Sequence, residues 1–594
     1  CTVWEEDFDS CSGCPFKERL GFTTPRQFVW DGRPIRLRLL ETINLTKPSE
    51  LKSKVFDKVE EKINNLVFSR SSADLVLAPP LESGKSHFTD KIAADLVKKG
   101  KKVLIAVQSV QLGLEHAERL LEFGAKPLLL VSHENVFKKD ELTNENKFGL
   151  DFECPAHDEI EYKLKLGVSS SVVKDKFCKK CPFRKNCPYP DQYKEALKEE
   201  HKLIIIQHAH LSVDEVMQSL LSKKFDILFI DENFTQSVLK RIKPEYGEFS
   251  VLEQSGMDWA IKLAEWLKRG GYPEKSTLYA SEPDRATLKA TLEALELPWR
   301  VPDYIRMWNT RKYARPKVGL TVFYELPRIP IRVFTNATPP IEMLKIILNN
   351  PLLEVIGEDI VIDYREYNSS NKVIQIIDGS NSRTSMEKND RFWELVEKAC
   401  DISRSKYQNK KLLWTVYKAL EGDLNIWLGR NYPDILERSL VSHRAVGTNK
   451  FQDRDVQFVF SGVHFNSKQL KLATYELKAI ENYWRSLTDE PLIANPFPAE
   501  VTEMSGTTLE EEMVRKLTTI DDTCGIYELP DFKTFVPSDW HEYLIVKNNI
   551  SEILQGMRIR FRDGLPKESW IFTNHFLYYL VDEILMEQDF LAIP

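Results

Sequence analysis

Asp74-Leu-Val-Leu-Ala-Pro-Pro-Leu-Glu-Ser-Gly-Lys-Ser86 is the stretch that decides the fold. Leu75 to Ala78 is an apolar, β-rich run, and the loop after it ends in Gly84-Lys85-Ser86. Helical periodicity from Phe88 to Lys99 begins directly afterwards. Strand, loop and helix in that order, with Gly-Lys-Ser at the helix start, form a phosphate-binding loop. The backbone from Ser83 to Ser86 and the helix N-terminus cradle phosphate, Lys85 reaches the outer phosphates, and the Ser86 hydroxyl ligates Mg2+. The strict pattern has a glycine where this chain has Pro79. An ordinary βα turn can carry the same three residues, so the weight of the reading comes from the rest of the chain.

With 594 residues the chain exceeds a single core, and about three to five domains or subdomains are expected. A hydrophobic content of 42% beside 29% charged residues is that of a soluble globular protein. No uninterrupted apolar run approaches the roughly 20 residues of a membrane span, and no basic-plus-apolar leader opens the chain. Because the chain starts with Cys1 rather than Met, it is expected to be the ordered or processed part of something longer. The net charge of −7 requires any nucleic-acid site to be a local basic surface. Nine cysteines clustered by spacing point to reduced, metal-binding thiolates and, by default, to a cytoplasmic location.

Cys1, Cys11 and Cys14 offer three of the four ligands of a zinc site, or are three unrelated thiols. Residues 26–42 alternate around an Asp-Gly turn, as a hairpin does. Helical periodicity follows from Glu50 to Leu66. From Asp74 strands alternate with helices: Lys101–Ser109 and Pro127–Val131 read as strands around a helix at Leu112–Glu122. That alternation argues for a parallel sheet covered on both faces. The rhythm stops between 140 and 200, where Cys154, Cys178, Cys181 and Cys187 fall, and resumes at Lys202–Gln207. Phe225-Asp-Ile-Leu-Phe-Ile-Asp231-Glu232 is an apolar strand delivering two carboxylates at its C-terminal end, where ligands bind in such sheets. Asp231 is expected to hold Mg2+ and Glu232 to polarise an attacking water; a capped strand end is the plainer alternative. Residues 236–325 read as helical and rich in Trp and Lys. The strand pattern returns at Arg332–Thr338 and again at Lys410–Val416, Val456–Phe460 and Ser569–Thr573.

Gly84-Lys-Ser86, Asp231-Glu232, Thr335-Asn-Ala-Thr338, Gly447-Thr-Asn449 and Gln555-x-x-Arg558-x-Arg560 follow one another in that order. The series resembles motifs I, II, III, V and VI of superfamily 2 helicases. The layout is similar to the XPD/DinG group, which carries a four-cysteine iron–sulfur module before motif II and a helical arch after it. His208-Ala-His210-Leu resembles that group's Asn-His-x-Leu stretch. Motif II here continues with Asn233 and Phe234 in place of the usual fourth-position His or Asp.

The resemblance implies an α/β fold of two RecA-like parallel-sheet lobes with a cysteine-rich metal module and helical insertions. It divides the chain into an N-terminal cysteine-containing segment and linker (1–70) and a first lobe (71–345). That lobe carries the four-cysteine module (140–200) and the arch-like insertion (236–330). A second lobe (346–594) has its own insertion at 466–545. ATP and Mg2+ are the implied cofactors. Gln555, Arg558 and Arg560 would reach the γ-phosphate from the second lobe, Gly447 and Asn449 would line the nucleotide site, and Thr335 and Thr338 would couple the lobes.

The cysteine set, Cys154-x23-Cys178-x2-Cys181-x5-Cys187, satisfies either Zn2+ or a 4Fe–4S cluster. Its position in the layout favours the cluster. Lys174 to Lys185 adds six cationic and two aromatic residues, suited to gripping phosphates and stacking bases, or simply to offsetting thiolate charge. The leading expectation is an ATP-driven translocase or helicase on single-stranded or forked DNA. It would run five-prime to three-prime, without a membrane, with protein partners in a replication, repair, mobile-element or defence assembly, and nucleoid-associated if prokaryotic. A nucleotide-gated clamp without turnover is the second reading. An iron–sulfur nuclease is the third, although no Asp…Glu-x-Lys set stands near the cysteines.

Overall fold

A computed structural model gives the fold. It describes residues 35–37, 45–46, 55–78, 84–131, 154–160, 177–184, 187–212, 220–242, 278–279, 304–310, 317–323, 325–336, 340–357, 361–362, 372–376, 391–442, 453–460, 467–491, 518–520, 526–528, 540–541, 544–545, 548, 568–572 and 589–593.

Two short strands come first, β1 (Ile35–Leu37) and β2 (Leu45–Thr46), then helix α1 (Asp57–Ser69). From Ala73 strands and helices alternate: β3 (Ala73–Leu77), α2 (Lys85–Lys98), β4 (Val103–Val107), α3 (Val110–Glu122) and β5 (Leu128–Leu129). After the cysteine region come α4 (Pro188–Leu197), β6 (Leu203–Gln207), β7 (Ile227–Asp231) and the single turn α5 (Thr235–Val238). Four strands stand apart: β8 (Leu239–Ile242), β9 (Leu278–Tyr279), β10 (Tyr304–Thr310) and β11 (Lys317–Phe323). β12 (Ile331–Thr335), α6 (Ile341–Leu348) and β13 (Glu354–Ile356) then complete the first sheet.

That sheet has seven strands in the order β13-β3-β12-β7-β4-β6-β5, all parallel. β4 and β7 are buried along their whole length, as the uninterrupted apolar runs of a two-sided sheet require. Strand alternation sorts the two faces. Leu75 and Leu77 pack with α1, α2 and α3, while Val76 and Ala78 pack on the other side with Phe234, Val238 and the α6 residues Met343, Leu344 and Ile347. Between the neighbouring strands β3 and β12, Arg332 makes a two-pronged ion pair with Asp74, at 2.6 and 2.8 Å. α3 starts on Ser109, whose hydroxyl accepts from the Leu112 N–H at 3.2 Å, a cap worth about 1 kcal/mol. Gly113 lets α3 lie close to the sheet, since a Cβ there would meet Leu129 Cδ1 at 2.9 Å.

The second sheet begins with β15 (Lys372–Ile376), after β14 (Val361–Ile362) has paired with β2. It continues through α7 (Arg391–Lys406), β16 (Leu412–Thr415), α8 (Glu421–Asn431), α9 (Pro433–Leu436), β17 (Ser439–Ser442) and β18 (Val456–Val459). The long helix α10 (Ser467–Ser486) and the hairpin of β19 (Thr518–Ile520) and β20 (Ile526–Glu528) precede β21 (Glu568–Phe572) and β22 (Asp589–Ile593). The order is β1-β22-β15-β21-β18-β16-β17, parallel except for β1. Its core centres on Trp414, which stacks on Phe460, itself stacked on Phe572. α10 joins the two halves: Leu477, Ile480 and Tyr483 share one apolar cluster with α6 and Phe323 of the first lobe and with Val459 and Ile571 of the second sheet.

The α/β architecture of two parallel sheets is therefore as expected, and four details differ. The 236–330 insertion, read as helical, holds among its described residues a four-stranded antiparallel sheet, β8-β11-β10-β9. Its strands Tyr304–Thr310 and Lys317–Phe323 are short, aromatic and β-branched, and the Trp and Lys content masked their period of two. β1, expected in a local hairpin, pairs with β22 at the far end of the chain, and any strand at 26–34 lies outside the described residues. The first lobe does not start at 71, because α1 supplies Val59, Ile63 and Val67 to its core. Nor does it end at 345, because β13 pairs with β3. Among the described residues no helix is long and apolar enough to cross a membrane.

Candidate functional site

Parallel pairing aligns three strand ends. Leu77 of β3, Thr335 of β12 and Asp231 of β7 are in register, at the C-terminal edge of the sheet. The loop leaving β3 returns as α2, whose N-cap is Gly84 and whose first residues are Lys85 and Ser86. Gly84 has φ +84°, the left-handed region that a glycine enters without a Cβ penalty. Both Lys85 and Ser86 are half-buried at this helix N-terminus, where unpaired N–H groups and the helix dipole favour an anion.

Asp231 is the hub of the site. Its Oδ2 accepts from Ser86 Oγ at 3.1 Å and from His116 Nε2 at 3.0 Å, and its Oδ1 accepts from Thr335 Oγ1 at 2.6 Å. Ser86, Asp231 and Thr335, far apart in the sequence, thus stand side by side. Glu232 is buried, has a positive φ of 66°, and donates its N–H to the Thr335 carbonyl at 2.8 Å. Such a backbone costs a non-glycine residue about 1–3 kcal/mol and persists where the surroundings fix it. Asn233 Nδ2 donates to Asn548 Oδ1 at 3.1 Å, a link from the carboxylate strand to a residue 315 positions later. Phe234 is buried and stacks on Phe334 of β12, so the residue three places after Asp231 is part of the core.

Behind Asp231 lies a row of groups that the motifs did not reveal. His116 Nδ1 meets Asp90 Oδ1 at 2.6 Å, and Arg119 Nε donates to Asp90 Oδ2 at 2.7 Å. His116 and Asp90 are fully buried. Burial alone would lower the His116 pKa, but the hydrogen bonds and charges of Asp231 and Asp90 outweigh it and raise it to about 9. His208, just beyond the end of β6, goes the other way. Burial lowers it to about 4, in spite of the Asp231 charge and hydrogen bonds to the backbone of Asp231, Ala106 and Asn233. One carboxylate is thus flanked by a charged imidazole and a neutral one. The signal for His116 was its place on an apolar stripe, Leu112–His116–Leu120, the buried face of α3.

No family model matches the chain, and no curated protein matches it. Among solved structures, an XPD helicase is similar over 91% of this chain and 99% of its own, with 10% identity and a TM-score of 0.42. The Xpd4 protein of S. tokodaii is similar over the same shares, with 10% identity and a TM-score of 0.41.

Three of the four central cysteines pack into two small apolar clusters. Cys154 and Cys187 pack with Val131 and Tyr189, and Cys154 and Cys178 pack with Ile160 and Phe177. The Cys181 N–H donates to the Cys178 carbonyl at 3.3 Å, closing the Cys-x2-Cys turn. Burial raises the thiols of Cys154 and Cys187, and the charge of Cys181 adds to both. All four cysteines are half-buried. Four cysteine sulfurs are a donor set that either Zn2+ or a 4Fe–4S cluster takes.

Cys187 caps the N-terminus of α4, and α4 is tied to the first lobe along its length. Gln192 bonds both the N–H and the carbonyl of Val131, at 2.9 and 2.8 Å. The buried Lys223 ammonium donates to the carbonyls of Ala196, Lys198 and His201 at 2.7, 2.6 and 2.7 Å, closing the C-terminal end. Ser83, Thr338, Gly447, Asn449, Gln555, Arg558, Arg560, Cys1, Cys11 and Cys14 lie outside the described residues.

Proposed function

We propose that the chain is an ATP-driven motor on single-stranded nucleic acid, a translocase or helicase acting on DNA. One observation carries this: Ser86 and Asp231, 145 residues apart, meet at 3.1 Å at the C-terminal edge of a parallel sheet, on the helix that Lys85 opens. Two hard oxygen donors beside a helix N-terminus fit Mg2+, and Ser86 and Asp231 would hold it. When bound, Mg2+ would supply positive charge that offsets the charge of the phosphates. Lys85 and the α2 N-terminus bind the phosphates. Glu232, next to Asp231 and held by its own backbone bond to Thr335, would orient a water and accept its proton.

In this reading Gln555, Arg558 and Arg560 reach the γ-phosphate from the second lobe, where an arginine stabilises developing charge. Gly447, Asn449, Thr335 and Thr338 complete the nucleotide site and its coupling. The four central cysteines hold a 4Fe–4S cluster, with Zn2+ as the alternative, and Cys1, Cys11 and Cys14 a second metal. The resemblance to the XPD/DinG group supports five-prime to three-prime movement.

The test is ATP hydrolysis with and without single-stranded DNA or RNA, beside Lys85→Ala and Glu232→Gln. Strand-stimulated turnover that both substitutions abolish is expected, and turnover unchanged in Lys85→Ala would sink the motor. A second reading, a nucleotide-gated clamp, is favoured by Pro79 in the phosphate loop and by the three protein donors already on Asp231. It requires ATP binding without turnover on any nucleic acid.

A further inference from the structure

The phosphate site uses Asp231, Ser86 and Lys85, and leaves His116, Asp90 and Arg119 without a role. These three form one continuous row into the site. The partly exposed Arg119 guanidinium donates to Asp90 Oδ2, Asp90 Oδ1 meets His116 Nδ1, and His116 Nε2 meets Asp231 Oδ2. Asp90 sits on α2, one turn beyond Ser86, and His116 and Arg119 are three residues apart on α3. The row therefore ties the helix of the phosphate loop, through its neighbour helix, to the end of β7.

The shape of the groups gives the row its effect. An imidazole is flat and rigid, with its nitrogens on opposite sides. A ring bonded at both nitrogens cannot turn without breaking one bond. A carboxylate on a strand end otherwise rotates about its last bond and offers either oxygen to the cleft. Here Oδ2 is shared by His116 and Ser86, while Oδ1 is taken by Thr335. Ser86 Oγ and Thr335 Oγ1 are hydroxyls that can turn toward other acceptors, whereas His116 is held from behind by a buried carboxylate.

We propose that His116 is a positioning residue for Asp231, oriented by Asp90 and Arg119, and that it fixes the carboxylate so that Oδ2 faces Ser86 and nucleotide-bound Mg2+. This rests on the reading of Asp231 as the carboxylate of a Mg2+–nucleotide site. Groups that orient a metal-facing ligand from behind tune metal affinity strongly when altered, by about 10–100-fold.

The experiment measures binding of methylanthraniloyl-ATP to the full chain by fluorescence, in EDTA and over a MgCl2 series. The proteins are wild type, His116→Gln, Asp90→Asn and Lys85→Ala. Wild type binds more tightly as Mg2+ rises, and Lys85→Ala loses binding throughout. His116→Gln keeps the wild-type affinity in EDTA but needs about ten-fold more Mg2+ for half-saturation, and Asp90→Asn moves the same way by less. A merely structural row would lower the melting temperature and leave the Mg2+ half-saturation unchanged, and that result overturns the proposal. Asp90 does not touch Asp231, so Asp90→Asn decides the matter if His116→Gln fails to fold: an unchanged half-saturation again overturns it. Wild-type binding indifferent to both Mg2+ and Lys85→Ala would overturn the phosphate-site reading itself, and this proposal with it.

Discussion

Replacing Lys223 by methionine removes a buried ammonium while keeping the length and the apolar stem of the side chain. Lys223 is only 3% exposed, and its Nζ donates to three backbone carbonyls at the end of α4 and the turn after it. A hydrogen bond from a charged donor is worth about 1.5–3 kcal/mol net, and an orphaned buried acceptor costs about 1–3 kcal/mol. Against this, the cost of burying the ammonium, which itself pushes the Lys223 pKa down, is recovered on substitution. Two of the three carbonyls belong to exposed residues or the turn and can find water. A net loss of about 3 kcal/mol in the local stability of α4 follows, a factor of about 100 in its opening equilibrium.

Hydrogen–deuterium exchange of peptides spanning 188–206 reads that factor directly, because amides of the last turn of α4 exchange through local opening. Lys223→Met is expected to accelerate them by about two decades while peptides from the second sheet stay at the wild-type rate. The neighbouring Lys224 is exposed, so Lys224→Met is expected to change the local stability by no more than about 0.5 kcal/mol. Exchange at the wild-type rate in Lys223→Met, or equal acceleration in both variants, refutes the reasoning.

Stability should fall on both sides of neutral pH, for opposite reasons. His116, raised from 6.5 to about 9, stabilises fully below about pH 6.5 and loses that contribution as the pH rises through 9. His208, lowered from 6.5 to about 4, is stabilising above about pH 6.5 and loses that as the pH falls through 4. Each departure is worth on the order of 3 kcal/mol. Melting temperatures in EDTA should therefore peak near neutrality, and a curve still rising at pH 9 would contradict the His116 assignment. Cys181→Ser should strip most of the bound metal from the purified protein, read by elemental analysis for iron and zinc. Iron near four per chain in wild type supports the cluster, one zinc supports the alternative, and intact wild type with neither removes both.

The strand ends were legible because hydrophobic runs and motif residues coincide there. Leu75–Ala78 before the loop, Phe225–Ile230 before Asp231 and Ile331–Phe334 before Thr335 are each apolar strands that lead into a loop or a polar group. Parallel pairing then leaves them little choice but to end at one level. The antiparallel sheet at 239–323 was not legible, because its apolar residues are mixed with Trp, Arg and Lys that also suit a helix face. The partners of β1 and β2 were beyond any local reading. Register can be inferred between neighbours in sequence, but Ile35 pairs with Ala592 and Leu45 with Val361. Only the folded topology brings those segments together.

The buried polar residues left a fainter trace, and it is a physical one. Leu112, His116 and Leu120 lie four residues apart on one face of α3, and Asp90 stands among Phe88, Ile92 and Ala93 on the buried side of α2. Lys223 precedes the apolar strand that ends at Asp231. A polar group on such a stripe is too costly to bury alone, so its position states that a partner exists without naming it. The partner depends on how two helices cross, which the period of each helix does not determine. That asymmetry explains why the motif residues could be listed from the sequence, whereas the row that orients them had to be seen. It also predicts where other such rows lie: wherever a charge interrupts an apolar stripe beside a strand that ends in a carboxylate.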